Sequence, residues 1–70
     1  MEISKKVGEN LKEARKAKGY TQKEVAQKFF MTQQQYSRFE NGVFELNYNQ
    51  LFELCKFLDT TPNELFDFDE

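Results

Sequence analysis

Seventy residues, with one cysteine, no histidine and 31% charged side chains, describe a single small domain over 1–70, near the lower size at which an apolar core suffices for folding. One cysteine excludes an internal disulfide, and the lack of histidine excludes the common zinc sets and histidine-dependent triads, so no cofactor and no metal are expected. The start MEISKK has no apolar h-region and no apolar run exceeds a few residues, which excludes a signal peptide and a membrane span and points to a cytoplasmic protein.

The net charge of −2 conceals a split. Residues 1–42 hold nine of the ten basic side chains against five acids, whereas residues 43–70 hold Lys56 against seven acids. The first part suits a polyanionic partner and the second does not.

Ile3, Val7, Leu11 and Ala14 recur at helical spacing and Gly19 follows as a stop signal, so residues 3–18 form the first helix. The others are marked by their caps. Thr21 with Glu24, Thr32 with Gln35, Asn47 with Gln50 and Thr61 with Glu64 have the spacing of a capping box or a close variant, and Pro62 suits a first helical position. Helices are therefore predicted over 22–29, 33–41, 48–58 and 62–67. Short connections, without strand-like alternation, repeats or linkers, give an all-α, compact five-helix bundle.

The third helix carries the question of function. At 100° per residue, Tyr36 and Phe39 fall at about 300° and 240° from Gln33 and define a buried face, while Gln34, Ser37, Arg38 and Asn41 fall at about 40–140°. Gln33 lies between the faces at the helix tip. Glutamine bonds adenine N6 and N7, and arginine bonds guanine O6 and N7, so such a face fits the edges of bases in a major groove. A plain solvated helix face has the same composition, since glutamine and arginine are good helix formers. The link to the preceding helix separates the two readings.

That link is QKEVAQKFFMTQQQYSRFEN, with small Ala26 where two helices would cross, a three-residue break, and the capped helix. Together with VGENLKEARKAKGYTQ, ENG and TTPNELF, it resembles the helix-turn-helix of the phage repressor and Cro-like (XRE) family over almost the whole chain. The resemblance implies a lambda repressor-like fold and a sequence-specific transcriptional regulator, read as a repressor, binding double-stranded DNA. Position by position it implies base contacts from Gln33, Gln34 and Arg38, phosphate contacts from Gln22, Thr32 and Asn41, and an ion pair of Arg15 with Glu40 joining the first helix to the third. Lys23 and Lys28 on the second helix and outward-facing Ser37 are further candidates for phosphate.

The chain departs from the family pattern in three places. Phe30 and Asp59 stand where a glycine usually follows a helix, and a bulky residue at positive φ is strained by roughly 1–2 kcal/mol. The loop VFELN, residues 43–47, lacks the basic residue many relatives place near the DNA backbone, so affinity is expected to depend on pairing of two copies.

Cys55 shares a face with Leu51, Leu54 and Leu58 and reads as a core thiol. The acidic tail DFDE reads as a solubilising end. Phosphate-loop spacing is absent and no carboxylate pair has an apolar flank to raise a catalytic pKa, so no enzyme is expected. A protein-interaction module on the same fold, using the acidic and aromatic carboxy-terminal half, is the alternative of another class, and the DNA-binding head of a larger peptide-responsive regulator is a variant of the first. A symmetric homodimer is expected, with Phe57, Phe66 and Phe68 at the interface, because Phe57 falls about 110° off the inward stripe of its helix.

Overall fold

The helices form where their caps place them. In the computed structural model, which describes residues 2–68, they are α1 Ile3–Ala17, α2 Gln22–Lys28, α3 Gln33–Glu40, α4 Tyr48–Phe57 and α5 Pro62–Phe66, with no strand among those residues. Met1 and the last two positions of the acidic tail, Asp69 and Glu70, lie outside the described residues. Thr21, Thr32 and Asn47 head complete capping boxes, in which the cap side chain accepts from the N3 amide and the N3 side chain accepts from the cap amide. Thr61 makes the first half only, accepting from Glu64 N at 3.2 Å and donating its hydroxyl to the Glu64 carboxylate. Among the described residues no helix is long and apolar enough to cross a membrane.

Each helix stops one residue earlier than its sequence pattern implies, because that residue serves as the cap of a common terminator. All five ends carry the paired bonds of a Schellman motif. After α2, Phe30 N donates to Gln27 O at 3.3 Å and Met31 N to Ala26 O at 2.9 Å. This geometry needs a left-handed residue, and only Gly19 and Gly42 supply it as glycine. Phe30 (φ 58°), Asp59 (φ 56°) and Asp67 (φ 54°) take the same conformation with a side chain attached. Phe30 is also 98% exposed, so its ring gives no packing to offset the strain. Phe29 and Met31, on either side of it, are the residues of that turn that pack on the core.

The core comprises Val7 and Leu11 of α1, Val25 and Ala26 of α2, Tyr36 and Phe39 of α3, Leu54 and Cys55 of α4, Leu58 and Leu65. α1 lies against α3 and α5, α2 against α3, and α4 against α5. Asn10 ties α1 to the end of α5, its amide nitrogen donating to Leu65 O at 2.8 Å. Gly8 permits the α1–α3 approach. A Cβ there would sit 2.6 Å from Phe39 O and closer still to Glu40 O, both backbone atoms that cannot step aside.

Two expectations from periodicity need correction. Ile3 continues the inward spacing of α1 but is 60% exposed, because it lies in the first turn, beyond the end of the core. Phe57 does find a core to enter. Its ring stacks on Tyr20 (centroids 4.8 Å apart) and meets Phe29 edge-on at 5.6 Å, filling a satellite of the core built by the α1–α2 turn and the end of α2. Phe57 stays half-buried there, with part of its ring at the surface.

A charged contact fixes the remaining geometry. Arg15 Nε donates to Glu40 Oε2 at 2.7 Å and Nη2 donates to Oε1 at 3.2 Å, with both residues buried. Arg15 Nη1 also donates to Tyr20 O at 2.8 Å, and Gln22 Nε2 donates to Glu40 Oε1 at 3.0 Å. The α1–α2 turn, the start of α2 and the end of α3 thus converge on one carboxylate. Burial alone would raise the Glu40 pKa, but the hydrogen bonds from Arg15 and Gln22 outweigh it and hold the carboxyl below its usual range. The Arg15 guanidinium, bonded to that carboxylate, is held above its ordinary value. Tyr36 Oη lies within electrostatic reach of both but makes no hydrogen bond among the described residues, and burial pushes its phenol pKa up.

Two measurements test this account. Phe30→Gly is expected to stabilise the domain by about 1 kcal/mol through loss of left-handed strain, raising Tm by about 4–8 °C in a chain of this size; a lower Tm would show that the ring contributes contacts. Glu40→Gln leaves a buried guanidinium without its counter-charge and is expected to cost about 3–5 kcal/mol at neutral pH. Because the folded pKa of Glu40 is depressed, the wild-type advantage is complete above the unfolded value of about 4.3 and is lost as pH falls through the folded value. Thermal melts of both proteins over that range should converge in acid, and parallel curves would rule out Glu40 as the titrating group.

Candidate nucleic-acid interface

α3 turns Tyr36, Phe39 and Glu40 inward. Its three glutamines divide between two tasks. Gln35 is structural, since its side-chain oxygen accepts from Thr32 N at 2.9 Å while the Thr32 hydroxyl accepts from Gln35 N at 3.1 Å. Gln33 and Gln34 are exposed at the first turn. Asn41, the carboxy-terminal cap residue of α3, is exposed as well.

Arg38 is half-buried one turn further along, and its guanidinium carbon lies 5.3 Å from the centre of the Phe44 ring. Ser37 Oγ donates to Gln34 O at 3.0 Å, so its single proton is used within the helix and offers a phosphate no donor in this rotamer. Thr32 is committed to its cap through the hydroxyl lone pair, and the hydroxyl proton stays free for an acceptor.

On α2 the candidates separate. Lys23 is exposed. Lys28 is exposed too, with its ammonium 5.6 Å from the centre of the Phe57 ring at the edge of the aromatic satellite. Gln22 is half-buried, and one of its two amide protons is given to Glu40. The other stays available to an acceptor outside the fold. Because Arg15 neutralises Glu40, the carboxylate at the end of α3 contributes no free negative charge to this face.

Two participants had no sequence signal. The Gly8 approach, which sets how α3 sits on α1, depends on residues more than thirty positions away. Phe44 reaches Arg38 only because the loop after α3 folds back on the helix, with Val43 N and Phe44 N both donating to Arg38 O at 2.9 and 3.2 Å.

The arrangement is two helices joined by a tight turn, the second carrying outward amide and guanidinium groups and the first anchored to it through a shared carboxylate. A helix-turn-helix family model matches residues 11–65, which includes α2, α3 and α4 whole, the later part of α1 and all of α5 except its last residue. No curated protein and no solved structure matches the chain. On the five-helix fold and that match, the chain belongs to the phage repressor and Cro-like (XRE) family of DNA-binding helix-turn-helix regulators.

Proposed function

We propose that this domain is a sequence-specific repressor that lays α3 in the major groove of double-stranded DNA and acts by occupying its operator. The observation that carries the reading is the division of labour on α3, where every residue needed for folding faces inward or caps the helix while Gln33, Gln34 and Arg38 are left to the outside. Glutamine and arginine are the side chains that pair bidentately with adenine and guanine edges. Gln22, held by Glu40 at one amide proton, presents the other to a phosphate, and Lys23, Thr32 and Asn41 supply further contacts to the backbone. The concentration of basic residues before position 43 gives the attraction its direction.

A single recognition helix reads few base pairs, so the working form is a symmetric homodimer with half-sites about 34–36 Å apart. With Phe57 half-buried against Tyr20 and Phe29, the pairing surface is centred on Phe66 (41% exposed), Phe68 (65%) and Ile3, which line one shallow groove between α1 and α5. The Lys6–Asp67 ion pair, at 3.0 Å, borders that groove.

Arg38→Ala is expected to cost roughly 1–3 kcal/mol in binding and to relax preference at one base pair. Selection of duplexes from a random pool measures both, and an equal loss on every sequence would reassign Arg38 to phosphate. For the dimer, Phe68→Glu is expected to shift sedimentation equilibrium from dimer toward monomer without changing the helical signal. A wild-type monomer at all concentrations, or a dimer indifferent to the new charge, would refute this interface.

A further inference from the structure

We propose that Phe44 is a positioning residue for base recognition, holding the Arg38 guanidinium in the orientation in which it reads the groove; this rests on the assignment of Arg38 to a base edge. The loop is closed onto Arg38 itself, since the Arg38 carbonyl accepts from both Val43 N and Phe44 N. The Phe44 backbone is thereby held against that of the residue it serves, which sets where its ring, 45% exposed, departs from the chain. Phe39 braces it from the core side, edge to face with centroids 6.4 Å apart.

The guanidinium carbon lies 5.3 Å from the ring centre, within the range of an attractive cation–π contact. The chemistry of the contact matters more than its strength. A carboxylate partner would consume the N–H edge of the guanidinium, the same edge that pairs with guanine O6 and N7. A ring engages the delocalised cation through its π-system and accepts none of the in-plane hydrogen bonds, so the donors remain for a base. A long side chain otherwise free to sample many rotamers is restricted before DNA arrives, and less freedom is lost on binding. Phe44 also borders an apolar groove with Ile3, Val7, Leu46, Leu51 and Phe66, but an aliphatic side chain would serve as that wall equally well. The π face is the property that Arg38 requires.

The test uses the full chain as wild type, Phe44→Leu, Phe44→Tyr and Arg38→Ala, each selected against the same random-core duplex pool, with thermal melts to establish that each is folded. Phe44→Leu should weaken the preference at the Arg38-dependent position by about two- to five-fold, the equivalent of one exposed cation–π contact, and leave the glutamine-dependent positions unchanged. Phe44→Tyr should retain the wild-type profile. In the free proteins, Arg38 side-chain protons should be shifted upfield by the ring in wild type and Phe44→Tyr and should lose that shift in Phe44→Leu. If Arg38→Ala flattens one position while Phe44→Leu does not, the role of Phe44 is overturned and base reading by Arg38 stands. If Phe44→Leu weakens all positions alike, or if the wild-type protons show no ring shift, the positioning role is again overturned. An Arg38→Ala profile identical to wild type would overturn both.

Discussion

The bidentate contact between Arg15 and Glu40 is the constraint on which the rest of this small structure depends. A carboxylate at the end of α3 can be buried only if its lone pairs are filled, and they are filled from α1 and from the start of α2. The α1–α2 turn is drawn to the same place because Arg15 also donates to the Tyr20 carbonyl. Replacing a whole buried pair by apolar groups is often neutral, whereas removing one partner is not. The pair therefore fixes geometry more than it adds stability. Its geometric output is the orientation of α3 on the two preceding helices and the placement of the Gln22 amide beside it.

A second constraint comes from helix length. α2, α3 and α5 are short, so a large fraction of their backbone groups lie in end turns that the helix itself cannot satisfy. Capping boxes and Schellman turns at nearly every terminus answer that need, and the chain tolerates left-handed side-chain residues at three of the five ends to obtain them. Aspartate accepts that conformation more readily than phenylalanine does. The α2–α3 turn is thus the most strained of the five, and it separates the two helices of the DNA-binding motif.

The parts of this fold legible in the sequence are those governed by local rules. An amino-terminal cap depends on residues three positions apart, so Thr21, Thr32 and Asn47 could be read without knowing the fold, and the inward faces of α3 and α4 followed from periodicity. Helix ends were placed one residue late because apolar pattern does not distinguish a last helical residue from a cap. The packing of Phe57 is hidden from the sequence for a different reason. A helical wheel reports only the packing of a helix against a generic core, and the partners of Phe57 come from Tyr20 and Phe29, residues that no periodicity relates to it. For the interface, the outward side chains of α3 were visible by angle, but the buried carboxylate that engages Gln22 and the ring beneath Arg38 were not, because both contacts arise only once distant segments have folded together. The pairing of Arg15 with Glu40 came from family resemblance, as nothing in their spacing identifies it.

The close approach at Gly8 bears on how such a protein changes over evolutionary time. α3 is seated against α1 by main-chain atoms, with the Phe39 and Glu40 carbonyls lying where a side chain of α1 would otherwise be. A main-chain contact is indifferent to which side chains the opposite face of the helix displays. Gln33 and Gln34 contribute nothing to the seat, to the amino-terminal cap or to the core. Substitutions there are surface changes of small energetic consequence for folding. The scaffold is in this sense a holder with an exchangeable outer edge, able to change what that edge displays without first acquiring a new fold.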